Sequence, residues 1–104
     1  MKKQARLDDT ISILLGSAWK REYPFHPERK FRFDYALTEY KIAIEIQGGT
    51  WTQGKHVRGV GYENDCEKLN LAVTLGWRVL WYTPQMVLRN PKKFLDEVNL
   101  LLTI

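Results

Sequence analysis

Phe31-Arg32-Phe33-Asp34-Tyr35-Ala36, followed after a short connection by Ile42-Ala43-Ile44-Glu45-Ile46-Gln47-Gly48-Gly49, is the stretch from which the fold is read. Aromatics and isoleucines alternate there with other residues at period two, the repeat of a pleated strand, which predicts two half-buried strands joined by a tight connection. Parity places Phe31, Phe33 and Tyr35 on one face of the first strand and Arg32, Asp34 and Ala36 on the other. On the second strand Ile42, Ile44 and Ile46 oppose Ala43, Glu45 and Gln47. Pairing Leu37 with Ile42 across the turn sets Asp34 opposite Glu45. Facing positions of an antiparallel pair hold their Cβ atoms roughly 4.5–5.5 Å apart, close enough for two carboxylates to share one divalent cation. A cation would offset the repulsion between like charges so placed, but the pattern equally fits two carboxylates on the solvated face of an amphipathic hairpin.

At 104 residues the chain is expected to be a single domain, 1–104, with one modest core. Its formal charge of +4 tilts the choice of partner toward an anion such as nucleic acid. The lone cysteine, Cys66, excludes an internal disulfide or a cysteine-built zinc site and suits a reducing compartment. Met1-Lys2-Lys3 runs into Gln4-Ala5-Arg6 rather than an apolar core, and no stretch is long enough to span a bilayer, so a cytoplasmic protein without membrane partners is expected.

Leu7, Ile11, Leu14, Leu15 and Ala18 recur at helical spacing and predict an amphipathic helix over 7–19, with Asp8 and Asp9 near its positive end. Lys20 to Pro27 carries two prolines, which confine it to an edge strand or extended arm. Glu22 on that arm is a possible additional acid for the site or a solvated edge residue, and His26 before Pro27 fits an extended loop better than a metal ligand. The segment from Gly48 to Gly61 holds five glycines with Trp51, Lys55, His56 and Arg58, a composition suited to a loop that contacts phosphates and stacks a base, or to a surface loop with Trp51 in the core. His56 has the further chemistry of a general acid or base.

Tyr62, Cys66, Leu69, Ala72 and Val73 form an apolar stripe that predicts a helix over 62–75, capped at Gly76. Lys68 on it either pairs with Asp65 or points over the hairpin toward a phosphate. Trp77 to Tyr82 reads as a strand that follows a helix and returns parallel to an earlier one, giving a mixed sheet. Thr83-Pro84 and Asn90-Pro91 are two helix starts, after which Phe94, Val98, Leu101 and Leu102 pack at helical spacing; Lys92 and Lys93 read as a solvated face.

An Asp in one strand, Glu-x-Gln in the next, a helix carrying a lysine and a strand after Gly-Trp together resemble the PD-(D/E)XK (restriction endonuclease-like) nuclease superfamily. Arg32-Phe33-Asp34, Glu45 to Trp51, His56-Val57-Arg58-Gly59, Asp65 to Asn70 and Gly76 to Leu80 are similar to small phage and prophage endonuclease-like proteins, over roughly Arg29 to Thr83. The resemblance implies an α/β (α+β) fold with an α-β-β-β-α-β core. It also implies Mg²⁺ bound by Asp34, Glu45 and the backbone carbonyl of Ile46, with Mn²⁺ as a substitute. The motif lysine of that superfamily is replaced by Gln47, a neutral side chain that orients water but brings no cation. Lys68 is then the candidate for the missing charge, and Asp8, Asp9 or Glu22 for the first-helix acid of the superfamily.

The function expected is a Mg²⁺-dependent DNA endonuclease: Asp34 and Glu45 hold the metal, Gln47 positions water, Lys68 stabilises the transition state, and Trp51, Lys55, His56 and Arg58 grip the DNA. So small a chain lacks obvious base-reading elements, which favours DNA shape over sequence, and by analogy with other small members a homodimeric resolvase of Holliday junctions and other branched DNA. A phage or prophage protein acting in the host cytoplasm fits the resemblance. The alternatives are a non-catalytic nucleic-acid-binding module on the same scaffold, or a nuclease subunit active only within a larger complex.

Overall fold

The computed structural model describes residues 2–47 and 60–104, with the side chains of 7–47 and 61–104. In chain order the elements are α1 (Lys2–Leu15), β1 (Lys20–Pro24), β2 (Arg32–Leu37), β3 (Ile42–Ile46), α2 (Val60–Thr74), β4 (Arg78–Tyr82), α3 (Pro84–Arg89) and α4 (Pro91–Leu102). The four strands make one sheet in the order β1-β2-β3-β4, antiparallel except for the parallel pair β3 and β4. The chain is therefore α+β, with a mixed sheet flanked by helices. Among the described residues no helix is long and apolar enough to cross a membrane.

The expected register holds. Leu37 pairs with Ile42 and Tyr35 with Ile44, so the next step along the two strands brings Asp34 and Glu45. The expected half-buried hairpin is corrected, because helices cover both faces of the sheet. Leu7, Ile11, Tyr35, Ile44, Tyr82, Val87, Phe94 and Val98 fill one side, under α1, α3 and α4. Phe25, Phe33, Ala36, Ala43, Ala72 and Trp77 fill the other, under α2. The alanines are the physical reason: without larger side chains at 36, 43 and 72, α2 approaches the sheet closely and leaves no solvated face.

Parity fails at one step. Phe33 stacks on Phe25 with ring centroids 4.0 Å apart and packs against Trp77 on the α2 side. Tyr35 lies on the α1 side, where its hydroxyl donates to Asp8 at 3.0 Å. β1 switches sides at the same level, with Arg21 over the Tyr35 ring and Tyr23 against Trp77. The paired residues Arg21–Tyr35 and Tyr23–Phe33 bracket Glu22 and Asp34, and Glu22 has a left-handed φ of 51°. For a side-chain-bearing residue that conformation costs on the order of 1–2 kcal/mol, and it is the local twist that reverses the strand.

Helix ends differ from the periodicity reading. α1 stops at Leu15, not near Trp19, because Gly16 adopts φ 92° and its N–H turns back to the Ser12 carbonyl. α2 ends as expected at Gly76 (φ 91°), with Gly76 N–H bonded to the Val73 carbonyl and Trp77 N–H to that of Ala72, the paired bonds of a Schellman cap. Thr83 and Asn90 cap α3 and α4 as read, each followed by proline. The α2 stripe is corrected in part: Ala72 is buried against the sheet as expected and Leu69 is half-buried, but Tyr62, Cys66 and Val73 are exposed, and Lys68 and Leu71 join Ala72 on the face turned to the sheet.

Because Phe33 sits at the centre of the α2-side core, Phe33→Ala is expected to lower the unfolding free energy by about 3–5 kcal/mol. Ile13→Ala, at a helical position that is 80% exposed, is expected to change it by less than about 0.5 kcal/mol. Urea denaturation of both variants checks the contrast.

Candidate active site

Past the Tyr35–Ile44 pair, β2 and β3 no longer exchange ladder bonds. The Asp34 side chain fills the gap: its Oδ2 accepts the Ile46 N–H at 2.7 Å. Gln47 N–H donates to the Tyr82 carbonyl at 2.7 Å on the opposite edge of β3. Backbone groups of successive strand residues point to opposite neighbours, so the Ile46 carbonyl faces β2 and the Asp34 side of the strand.

Glu45 is 7% exposed and is the one charged residue found in the core among the described residues. α2 brings Lys68 to it, and Lys68 Nζ donates to Glu45 Oε1 at 2.9 Å. This settles the pairing of Lys68: its partner is Glu45 on the sheet, not Asp65 on its own helix. Glu45 Oε2 is buried with no hydrogen-bond partner among the described residues. Burial pushes the Glu45 carboxyl up to about 7; the Lys68 charge and hydrogen bond oppose the rise, and the charge of Asp34 adds to it. Asp34 is also raised, first by burial, against the Ile46 N–H bond and the Lys68 charge, with Glu22 and Asp8 pushing the same way as burial.

Three of the four expected catalytic residues thus form one electrostatic unit: Asp34 and Glu45 sense each other's charge, and Lys68 acts on both. Gln47 follows directly at the end of β3, half-buried. Glu22 lies opposite Asp34 on β1, exposed, and its charge reaches Asp34. Asp8 is committed elsewhere, accepting the Tyr35 hydroxyl and pairing with Arg21 at 3.0 Å, while Asp9 is exposed. His26 serves its own turn, its Nδ1 accepting the N–H groups of Glu28 and Arg29. Trp51, Lys55, His56 and Arg58 lie outside the described residues.

The surroundings of the site include groups that spacing did not reveal. Tyr35 bridges toward α1 through Asp8, and burial followed by that carboxylate pushes its hydroxyl well above the ordinary range. Arg29 clamps Glu67 of α2 through its two terminal guanidinium nitrogens, at 2.7 and 3.0 Å, tying the segment before β2 to the helix that carries Lys68. Both links join residues 27 and 38 positions apart, beyond the reach of any local pattern.

Among the described residues no group of three or more His, Cys, Asp or Glu side chains gathers to hold a metal ion. Two carboxylates and a carbonyl do fit a hard cation such as Mg²⁺, which takes only one or two protein carboxylates and completes its shell with water and phosphate oxygens. The buried, unpartnered Glu45 Oε2 is the observation that fits: with Lys68 spent on Oε1, the second oxygen is shut off from water and has no electropositive partner of its own among the described residues.

The folded chain keeps the Glu45 proton up to about pH 7, whereas an unfolded glutamate releases it near its ordinary value of 4.5. The folded state therefore binds more protons across that interval, and rising pH favours unfolding. This group is expected to remove roughly 2–3 kcal/mol of stability between about pH 5 and pH 8, with the loss complete above about pH 7. Glu45→Gln should flatten that slope, measured as urea midpoints at the two pH values in EDTA. No protein-family model matches the chain, and no curated protein or solved structure matches it either.

Proposed function

We propose that the chain is a Mg²⁺-dependent DNA endonuclease of the PD-(D/E)XK kind, selective for branched DNA such as a Holliday junction. The observation that carries this reading is Glu45: buried, half-satisfied by Lys68, left with an orphaned oxygen, and close enough to Asp34 to sense its charge. Asp34, Glu45 and the Ile46 carbonyl would hold Mg²⁺, or Mn²⁺ in its place. When bound, such an ion polarises a phosphoryl oxygen and lowers the pKa of a coordinated water.

The chain's own residues supply the rest. Ionised Glu45 is favoured by an added positive charge at Oε2, so cation binding and loss of the Glu45 proton reinforce each other. Lys68, held over the carboxylates by α2, offers an ammonium to the charge that grows on phosphate oxygens during in-line displacement. Gln47 contributes a neutral amide that accepts from and donates to a water, orienting it without moving its proton. The net charge of +4 favours an anionic polymer.

A second reading, a non-catalytic nucleic-acid-binding module, is favoured by two observations. Gln47 stands where the superfamily's motif lysine is expected, and Lys68 already neutralises Glu45 without a metal. Cleavage assays on a four-way junction, a nicked duplex and a linear duplex, each in Mg²⁺ or EDTA, separate the two. The nuclease reading predicts junction cleavage in Mg²⁺ alone, lowered at least about 10³-fold by Asp34→Ala or Glu45→Ala and about 10²-fold by Lys68→Ala. Salt-sensitive binding without cleavage in either condition would establish the module instead.

A further inference from the structure

Trp81 is the register partner of Glu45 in the parallel pair of β3 and β4, one strand spacing of about 4.8 Å away. Alternation along the chain fixes its face. Leu80 and Tyr82 pack into the core under α1, α3 and α4, whereas Trp77 and Val79 pack into the core under α2. Trp81 therefore lies on the α2 side, where Lys68 meets Glu45.

Neither core uses this indole. Trp81 belongs to neither cluster of packed side chains and has no ring or cation partner among the described residues. It is 41% exposed, whereas Trp77, four positions earlier, is 7% exposed against Phe33. Among the described residues β4 ends the sheet, so the ring stands at an open edge. Charged side chains are what usually protect such an edge, and a large flat apolar ring left there in water forfeits its burial.

The other flank of the site is cationic. Arg32 opens β2 two residues before Asp34, and carrying the β2–β3 register past Tyr35–Ile44 sets it level with Gln47. Arg32 and Lys30 are both exposed, and neither forms an ion pair among the described residues. Over two strand spacings, about 10 Å, the order is thus cations, then the two carboxylates, then an indole. A nucleic-acid strand laid across these strand ends presents the complement: a phosphate to Lys30 and Arg32, the next to the carboxylate site, and a base to Trp81.

We propose that Trp81 stacks on an unpaired base next to the phosphate held at Asp34 and Glu45, and that this contact, which rests on the nuclease reading, selects branched over linear DNA. Inside an intact duplex both faces of each base are covered by its neighbours. The indole finds a free face only where the stack is broken, as at a branch point. Every base has such a face, so stacking reads the structure of the DNA and not its sequence. Lys30 and Arg32 meet phosphates, which branched and linear DNA share, so discrimination falls to Trp81.

Binding in EDTA tests this apart from cleavage. Trp81→Ala should raise Kd for a four-way junction by roughly 5- to 150-fold and that for a linear duplex by less than about two-fold. Trp81→Phe should keep most of the junction affinity, because a phenyl ring still stacks. Lys30→Ala with Arg32→Ala should weaken binding to both DNAs alike and lower the salt dependence. On the unmutated chain, iodouracil placed at the branch point should cross-link on irradiation, with peptide mass spectrometry locating the adduct at Trp81. Unchanged junction affinity in Trp81→Ala, equal weakening on both DNAs, or a cross-link to another residue would each overturn the proposal. Junction cleavage in Mg²⁺ alongside any of those results would leave the nuclease reading standing without Trp81, and the expected binding results without cleavage would do the reverse.

Discussion

The structure turns on an ion pair held inside the sheet-and-helix sandwich, Lys68 on Glu45. Putting a carboxylate at the centre of a sheet covered on both sides strips it of water, and the 2.9 Å bond from Lys68 satisfies only one of its two oxygens. Replacing such a pair with apolar side chains is often neutral or stabilising, so a buried pair is poor evidence of a stability role. Here the pair leaves the carboxyl shifted up to about 7 with an oxygen to spare, and the proposed cation site rests on that combination.

The backbone around that pair is irregular and held from both sides of the sheet. Glu22 takes a left-handed conformation on β1, β2 reverses its sides at Asp34, and the ladder between β2 and β3 gives way to a side-chain bond from Ile46 N–H to Asp34. Strained backbone of this sort persists where the surrounding packing over-determines it, and it concentrates at functional sites. The Phe25–Phe33–Trp77 stack on the α2 side and the Tyr35–Asp8–Arg21 chain on the α1 side hold the reversal from both faces. Arg29, gripping Glu67, fixes α2 and hence Lys68 relative to β2.

Much of this architecture was legible because its determinants are local. The Leu37–Ile42 register, the parallel return of β4, the cap at Gly76 and the Thr83 and Asn90 helix starts each follow from a turn residue or a short period. The juxtaposition of Asp34 with Glu45 followed from that register. Three features were hidden. The switch of sides at Asp34 depends on Glu22 in a neighbouring strand, which period-two counting cannot see. The burial of both sheet faces depends on small residues at 36, 43 and 72 meeting in space. The α2 stripe has true helical spacing, but spacing alone does not say whether a seam meets the chain's own core or something outside it; the Lys68–Glu45 pair sets the rotation of the helix and turns Tyr62, Cys66 and Val73 outward.

The central claim is that the orphaned Glu45 oxygen and the Asp34 carboxylate are a cation site. Crystals soaked in Mn²⁺ and measured at the manganese absorption edge test this most directly. The account predicts one anomalous peak about 2.1 Å from Glu45 Oε2 and within ligand distance of Asp34 and the Ile46 carbonyl. A map without a peak there, with Lys68 still bonded to Glu45 and Oε2 still unpartnered, would contradict it.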